Sequence, residues 1–149
     1  MLDRDRQTAL AALYFLTGHS CDPTFRRIAR LFYFADRFHL TRCGRLICAG
    51  DYVAAEDGPV RRVVDDLLSD EGGAPLPPPD MGWLSDSEME GLVFALAWYD
   101  GYHFDRLRDL SRDDAWGAAD ESGVISIEAL VASVGNPPGL LAHISDPHP

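Results

Sequence analysis

The chain contains no lysine: all thirteen of its basic residues are arginine, a bias that a GC-rich genome produces without any functional reason. Cysteine is scarce, and three is an odd number, so no disulfide framework is indicated. A cytoplasmic protein with reduced thiols is the expectation. No apolar run approaches the roughly 20 residues needed to span a bilayer. The opening stretch "MLDRDRQTAL" lacks the basic-then-apolar layout of a secretion signal. An excess of positive charge is also missing. The net charge of −11 argues against direct nucleic-acid binding, because neutralising phosphates requires a positive face. The remaining composition is ordinary: 149 residues, 46% hydrophobic and 25% charged, describe one domain able to bury a real core.

Charge is unevenly distributed. Residues 1–62 hold ten arginines and seven acids, a balance of +3, whereas residues 63–149 hold three arginines and seventeen acids, a balance of −14. Such polarity fits a basic protein partner that meets the acidic half, and it fits acidity for solubility equally well.

Residues 3–18 read as a first helix with Leu10, Leu13, Tyr14 and Phe15 on its apolar face and Gly18 as its stop. "CDPTF" predicts a second start, with Asp22 as N-cap and Pro23 at the first helical position, running to Cys43 and a left-handed Gly44. In "GRLICAGDYVAAEDGPV", Leu46–Ile47 and Tyr52–Ala54 are short β-like pieces joined around Gly50. "DGPVRRVVDDLL" then predicts a helix with Pro59 in its first position and Val60, Val63, Val64, Leu67 and Leu68 facing inward. Residues 70–80 hold four prolines and two glycines and form a loop between the two charge halves. Ser85 and Glu88 have capping-box spacing for a helix to about Tyr99, burying Leu92, Phe94 or Val93, Leu96 and Trp98. "HFDRLRDLS" and "SIEALVAS" predict two shorter helices, and residues 135–149 a loosely ordered tail. The expected fold class is mostly α: a single compact helical domain over 1–149 with a small β-hairpin inserted after the second helix.

The second helix breaks its own pattern. On a wheel at 100° per residue from Phe25, Arg26, Arg30, Arg37 and Thr41 cluster between about 100° and 160°. Phe25, Ile28, Phe32 and Ala35 occupy the opposite arc, and Asp36 at about 20° and His39 at about 320° fall among them. Ionisable groups are rarely buried without partners, so this pair must serve something. Three readings are open. The pair can satisfy backbone groups of the 44–60 segment where that segment crosses the helix. Asp36 can orient His39 as a general acid/base couple of a hydrolase. His39, Cys43 and Cys48 can ligate a metal, although no CxxC or HExxH spacing accompanies them. The anchor reading predicts that removing Asp36 costs roughly 1–3 kcal/mol. Phe34, at about 180° beside Arg27 and Arg30 and near Phe38, has the composition of a protein-binding patch made of Arg27, Arg30, Phe34, Arg37 and Phe38. Its alternative is burial in a central helix covered on most sides.

These residues carry a resemblance. "LFYFADRFHLTRCGRLICAGDYVAAEDGPVRRVVDDLL", residues 31–68, resembles the signature of the Panacea antitoxin domain, the SocA-like family. The matching positions include Tyr33, Phe34, Ala35, Asp36, His39, Gly44, Arg45, Ile47, Tyr52, Gly58 and Pro59. "LRDLSRDDAWGAA", residues 107–119, is similar to the family's second signature, a Leu-Ser followed by a Trp-x-x-Ala that here holds Trp116. Many members have a histidine after that serine, where this chain has Arg112. The resemblance implies a mostly helical domain that neutralises a cognate toxin by direct contact. It also implies a proteolytic-adaptor route through a cytoplasmic protease, as in the SocA branch. Some relatives carry an additional DNA-binding domain, for which 149 residues leave no room beside the Panacea core. It implies no catalytic residue, metal or cofactor. A prophage protein that interferes with host defence on the same scaffold is a further reading.

Overall fold

Helix α2, Phe25–Cys43, is the element around which the others gather. In the computed structural model, which describes residues 4–47, 50–70 and 80–134 (side chains of 68–70 apart), α2 packs against α1, α4, α5 and the sheet. Ten consecutive residues of α2, Arg27 through Asp36, are buried. A surface helix buries one stripe, so burial on every side marks a central helix. The wheel's polar face is corrected accordingly: Arg30 is only 2% exposed, while Phe25, placed on the apolar arc, is 43% exposed.

Helix α1 spans Arg4–His19, passing through Gly18 rather than stopping there. Leu10, Leu13 and Leu16 are buried, whereas Tyr14 faces outward. Helix α2 starts two residues later than the Asp-Pro signal suggested. Thr24 is the N-cap, and the Asp22 carbonyl instead accepts the Thr24 N–H, forming a connector turn. The far end follows expectation: Gly44, at φ 76°, closes α2 by donating its N–H to the Leu40 carbonyl.

Strands β1, Tyr52–Ala55, and β2, Gly58–Arg61, form the hairpin expected after α2, in the register Tyr52↔Arg61 through Ala55↔Gly58. Its composition differs from the sequence reading. Leu46 and Ile47 form no strand, and the hairpin turns at Glu56–Asp57 rather than Gly50. Pro59 lies in β2 instead of opening the next helix. It is tolerated because β2 is a sheet edge, in the order β2-β1-β3, where a missing N–H costs no ladder bond. Helix α3, Arg62–Asp70, therefore starts at Arg62, whose N–H donates to the Asp51 carbonyl, and buries Val64 and Leu67. Strand β3, Val124–Ile125, which no sequence signal announced, pairs antiparallel with β1.

The breaker segment falls largely on residues 71–79, and the expected tail on 135–149; both lie outside the described residues. Beyond a 3₁₀ turn at Met81–Trp83, α4 spans Asp86–Tyr99 and opens with the capping box formed by Ser85 and Glu88. Leu92 is buried as expected. Trp98, however, is 66% exposed and Val93 49%, so the apolar pattern of α4 runs past the face it buries. Helices α5, Phe104–Ser111, α6, Asp114–Gly117, and α7, Ile127–Ser133, complete the described residues, with Asp113 capping α6 and Ser126 capping α7.

Gly58 marks where the hairpin meets the helices. Its φ of 125° is strained for any residue with a Cβ, and a Cβ there would lie 2.1 Å from the Ser111 Oγ. Gly58→Ala should lose at least about 2 kcal/mol in denaturant unfolding. Gly101→Ala, whose Cβ would meet open space, should stay within about 0.5 kcal/mol of the wild type.

Candidate functional site

The carboxylate of Asp36 is 0% exposed and is surrounded by donors. One oxygen accepts the Ile47 N–H at 2.7 Å. The other accepts the Tyr52 hydroxyl at 2.5 Å and the Arg61 guanidinium at 2.7 Å (NH2) and 3.1 Å (Nε). Tyr52 and Arg61 are cross-strand partners, each 1% exposed, and the guanidinium also lies over the Tyr52 ring at 4.4 Å. The connector after α2 and both hairpin strands are thus tied to a single carboxylate. Burial, with the Asp36 charge second, pushes the Tyr52 phenol well above its ordinary pKa.

His39, 1% exposed, serves a different pair of groups. Its Nδ1 lies 2.7 Å from the Arg45 carbonyl, which can only accept, so Nδ1 carries a hydrogen. Nε2 is thereby free to accept the Ser87 hydroxyl at 2.9 Å. Arg45 in turn pairs with Glu88 at 2.9 Å, joining the end of α2 to the start of α4. Both His39 nitrogens are engaged by groups other than Asp36, so Asp36 does not orient the imidazole, as an acid/base couple requires. Cys43 is exposed, and Cys48 lies outside the described residues. Among the described residues no group of three or more His, Cys, Asp or Glu is placed to hold a metal.

A second constellation surrounds the hairpin turn. The Trp116 Nε1 donates to the Ala55 carbonyl at 2.8 Å, and Arg112 donates to the Glu56 carbonyl through both Nε and NH2. The Ser111 hydroxyl lies 3.3 Å from the Asp57 carbonyl, and Arg30 donates to the Pro59 carbonyl at 3.1 Å. Four carbonyls of a five-residue turn are therefore met by side chains from α2, α5 and α6. Burial lowers the Arg30 pKa to about 10. Tyr33 donates to Asp113 at 2.6 Å, and its phenol is raised by burial first and the Asp113 charge second.

Of the five residues put forward for partner binding, the structure divides the set. Arg27 is buried and donates to the Asp100 and Tyr102 carbonyls, and Arg30 is buried under the hairpin. Phe34, 3% exposed, stacks on Tyr99 at 4.1 Å. Arg27 and Arg30 cannot meet a partner while α2 stays covered, which corrects their assignment to an exposed face. Phe34, Arg37 and Phe38 instead line a groove of about 290 Å³ between α2, α4 and the end of α7. Phe38 stacks on Phe94 at 3.9 Å, and Arg37 donates to the Ser133 carbonyl and lies 3.4 Å from Asp113. Trp98 leans on Phe94 at 5.9 Å and points into solvent. Sequence reasoning missed Arg61, Ser87, Phe94 and Tyr99. Arg61 was discoverable in principle, since it sits opposite Tyr52 once the hairpin register is known.

These features describe a helical domain with a hairpin tied to its central helix and an aromatic groove on its surface. The family model "Antitoxin SocA-like, Panacea domain" matches residues 28–117, more than half of the chain. The chain belongs to this SocA-like Panacea antitoxin family. The matched region contains the Asp36 centre, the hairpin and its clamp, from α2 to the end of α6. Comparison with curated proteins and with solved structures found no match.

Asp36→Ala would strand a buried guanidinium, a phenol and an N–H together. It should cost about 3–5 kcal/mol in urea unfolding, above the value for a lone anchor. Tyr52→Phe, which removes one donor of four, should cost about 1–2 kcal/mol. Tyr33 and Tyr52 have raised pKa values in the fold, so their stabilisation is complete below the unfolded value near 10 and is lost as pH rises above it. Stability should therefore fall above about pH 10, by about 1.4 kcal/mol per pH unit for each of the two tyrosines. The Tyr33→Phe/Tyr52→Phe double variant should have a flatter alkaline limb, measured by chemical unfolding at stepped pH.

Proposed function

We propose that this protein is an antitoxin that neutralises a cognate toxin by direct contact in the cytoplasm, using the aromatic groove and its rim as the contact face. Membership of the SocA-like Panacea family is the observation that carries the antitoxin role. The contact face is supported by composition. Phe38, Phe94 and Tyr99 line the groove with Arg37, while Trp98, in ring contact with Phe94, projects beside it. Aromatic residues and arginine are the types enriched where binding energy concentrates. Of the initial set, Arg37 and Phe38 would touch the partner, and Arg27, Arg30 and Phe34 would hold the face in shape from beneath. No helix among the described residues is long and apolar enough to cross a membrane. The net charge of −11 favours a protein partner over nucleic acid.

Delivery of the bound toxin to a cytoplasmic protease is the finer version of the same reading. It differs in that rescue would require the protease. The direct test is co-expression with the product of the neighbouring gene, reading growth rescue and co-purification; no complex and no rescue would overturn the proposal. Trp98→Ala should weaken the complex at least about tenfold in titration calorimetry, the scale of an exposed aromatic anchor, and leave the melting temperature almost unchanged.

A further inference from the structure

Acids outnumber arginines by 24 to 13 in this chain, so an arginine left without a carboxylate is unexpected. Arg42 faces Glu90, Arg45 faces Glu88, Arg61 faces Asp36 and Arg108 faces Asp105. Arg30 and Arg112 hold backbone carbonyls instead. Arg26 and Arg106 do neither. Both are exposed, and neither has an ion pair or a hydrogen bond among the described residues.

Each lies over an aromatic ring. The central carbon of the Arg26 guanidinium is 3.9 Å from the centre of the Phe104 ring, and that of Arg106 is 4.9 Å from the centre of the Tyr102 ring. Tyr102 and Phe104 belong to the entry into α5, and Arg26 reaches it from the first turn of α2. Arg27 fixes these pieces to one another by donating to the Asp100 and Tyr102 carbonyls at 2.9 and 2.8 Å. The acids closest in sequence are turned to other cations, Asp22 to Arg27 and Asp105 to Arg108 and His103.

The ring contacts restrain both guanidiniums and leave their N–H donors without an acceptor. A guanidinium fork matches a planar carboxylate, which takes two parallel N–H bonds from it. Nucleic-acid phosphate is the poorer fit, because two cations release few counterions and the net charge of −11 opposes a long polyanion. A short acidic segment is opposed much less. At physiological salt, charges beyond about 8 Å are largely screened, so the two local cations dominate what it meets. The patch also continues the aromatic groove: Tyr102 meets Tyr99 edge to face at 6.2 Å, and Tyr99 lines the groove.

We propose that Arg26 and Arg106, seated on Phe104 and Tyr102, form a carboxylate-binding site for an acidic peptide segment of a partner protein. Assigning that segment to the toxin rests on the function proposed above; the binding of acidic side chains does not.

The test uses the full chain and a capped hexaglutamate peptide, with hexaglutamine as the neutral control, so it needs no toxin. Arginine Nε–H signals are followed by NMR at slightly acidic pH, where glutamate stays ionised. Those of Arg26 and Arg106 should shift saturably with hexaglutamate alone. Those of Arg42 and Arg45, already held by carboxylates, should move far less. An Arg26→Gln/Arg106→Gln variant should bind the peptide about three- to tenfold more weakly, the scale of two exposed ion pairs. Arg26→Lys/Arg106→Lys keeps both charges and the aliphatic cover of the rings but loses the planar fork. It should also bind more weakly than the wild type, and it reads the site should the glutamine pair loosen the fold. No saturable shift, a shift shared equally by Arg42 and Arg45, or wild-type affinity in the lysine variant would overturn the proposal. Tighter binding of an oligothymidylate of equal charge would assign the patch to phosphate and overturn it as well.

Discussion

The structure depends on one buried carboxylate. Asp36 is enclosed in the helix that every layer touches, where an unpaired charge would be prohibitively costly. Four donor groups make its burial tolerable: the Ile47 N–H, the Tyr52 hydroxyl and two nitrogens of Arg61. They come from three pieces of chain, so the charge can be buried only when the connector and both strands have arrived. Register is a consequence of this. Tyr52 and Arg61 are direct cross-strand partners, and a slip of one residue in either strand would turn that strand's donor to the opposite face. The carboxylate thus selects one hairpin alignment, a role distinct from whatever net stability the pair contributes.

The hairpin is held from its other end by the segment that carries the second family signature. Trp116, Arg112 and Ser111 reach three carbonyls of the turn, and Gly58 leaves room for the serine. Two signatures some forty residues apart in sequence therefore describe a single contact in space. Arg112 fits where many family members have histidine, because a carbonyl acceptor asks only for an N–H donor within reach. Asp36 and His39 each spend their hydrogen bonds on separate elements.

Elements marked by strong local chemistry were legible in the sequence. The capping box at Ser85–Glu88, the left-handed cap at Gly44 and the hairpin after α2 all arise from short-range rules that the fold had no reason to override. The wheel correctly placed Asp36 and His39 among apolar neighbours, since periodicity depends only on helix geometry. It failed for Arg27 and Arg30 because a wheel assumes one solvent face, and α2 has none over much of its length. Pro59 failed for a related reason: proline suits both the first turn of a helix and an edge strand, and only the sheet order decides between them.

The sequence by itself determined that this is a mostly helical domain with one hairpin, that two ionisable residues sit on an apolar face, and that the chain resembles the SocA-like Panacea antitoxins. Each of these is encoded by residues close together in the chain, through periodicity, caps and motif spacing. Only the tertiary structure decided what those residues face. It paired Asp36 with Arg61 and His39 with Ser87, sank two arginines into the interior, and brought Phe38 and Phe94 together as the walls of a groove. Such pairings join residues 25 to 56 positions apart, and local physics carries no information about which distant surfaces will meet.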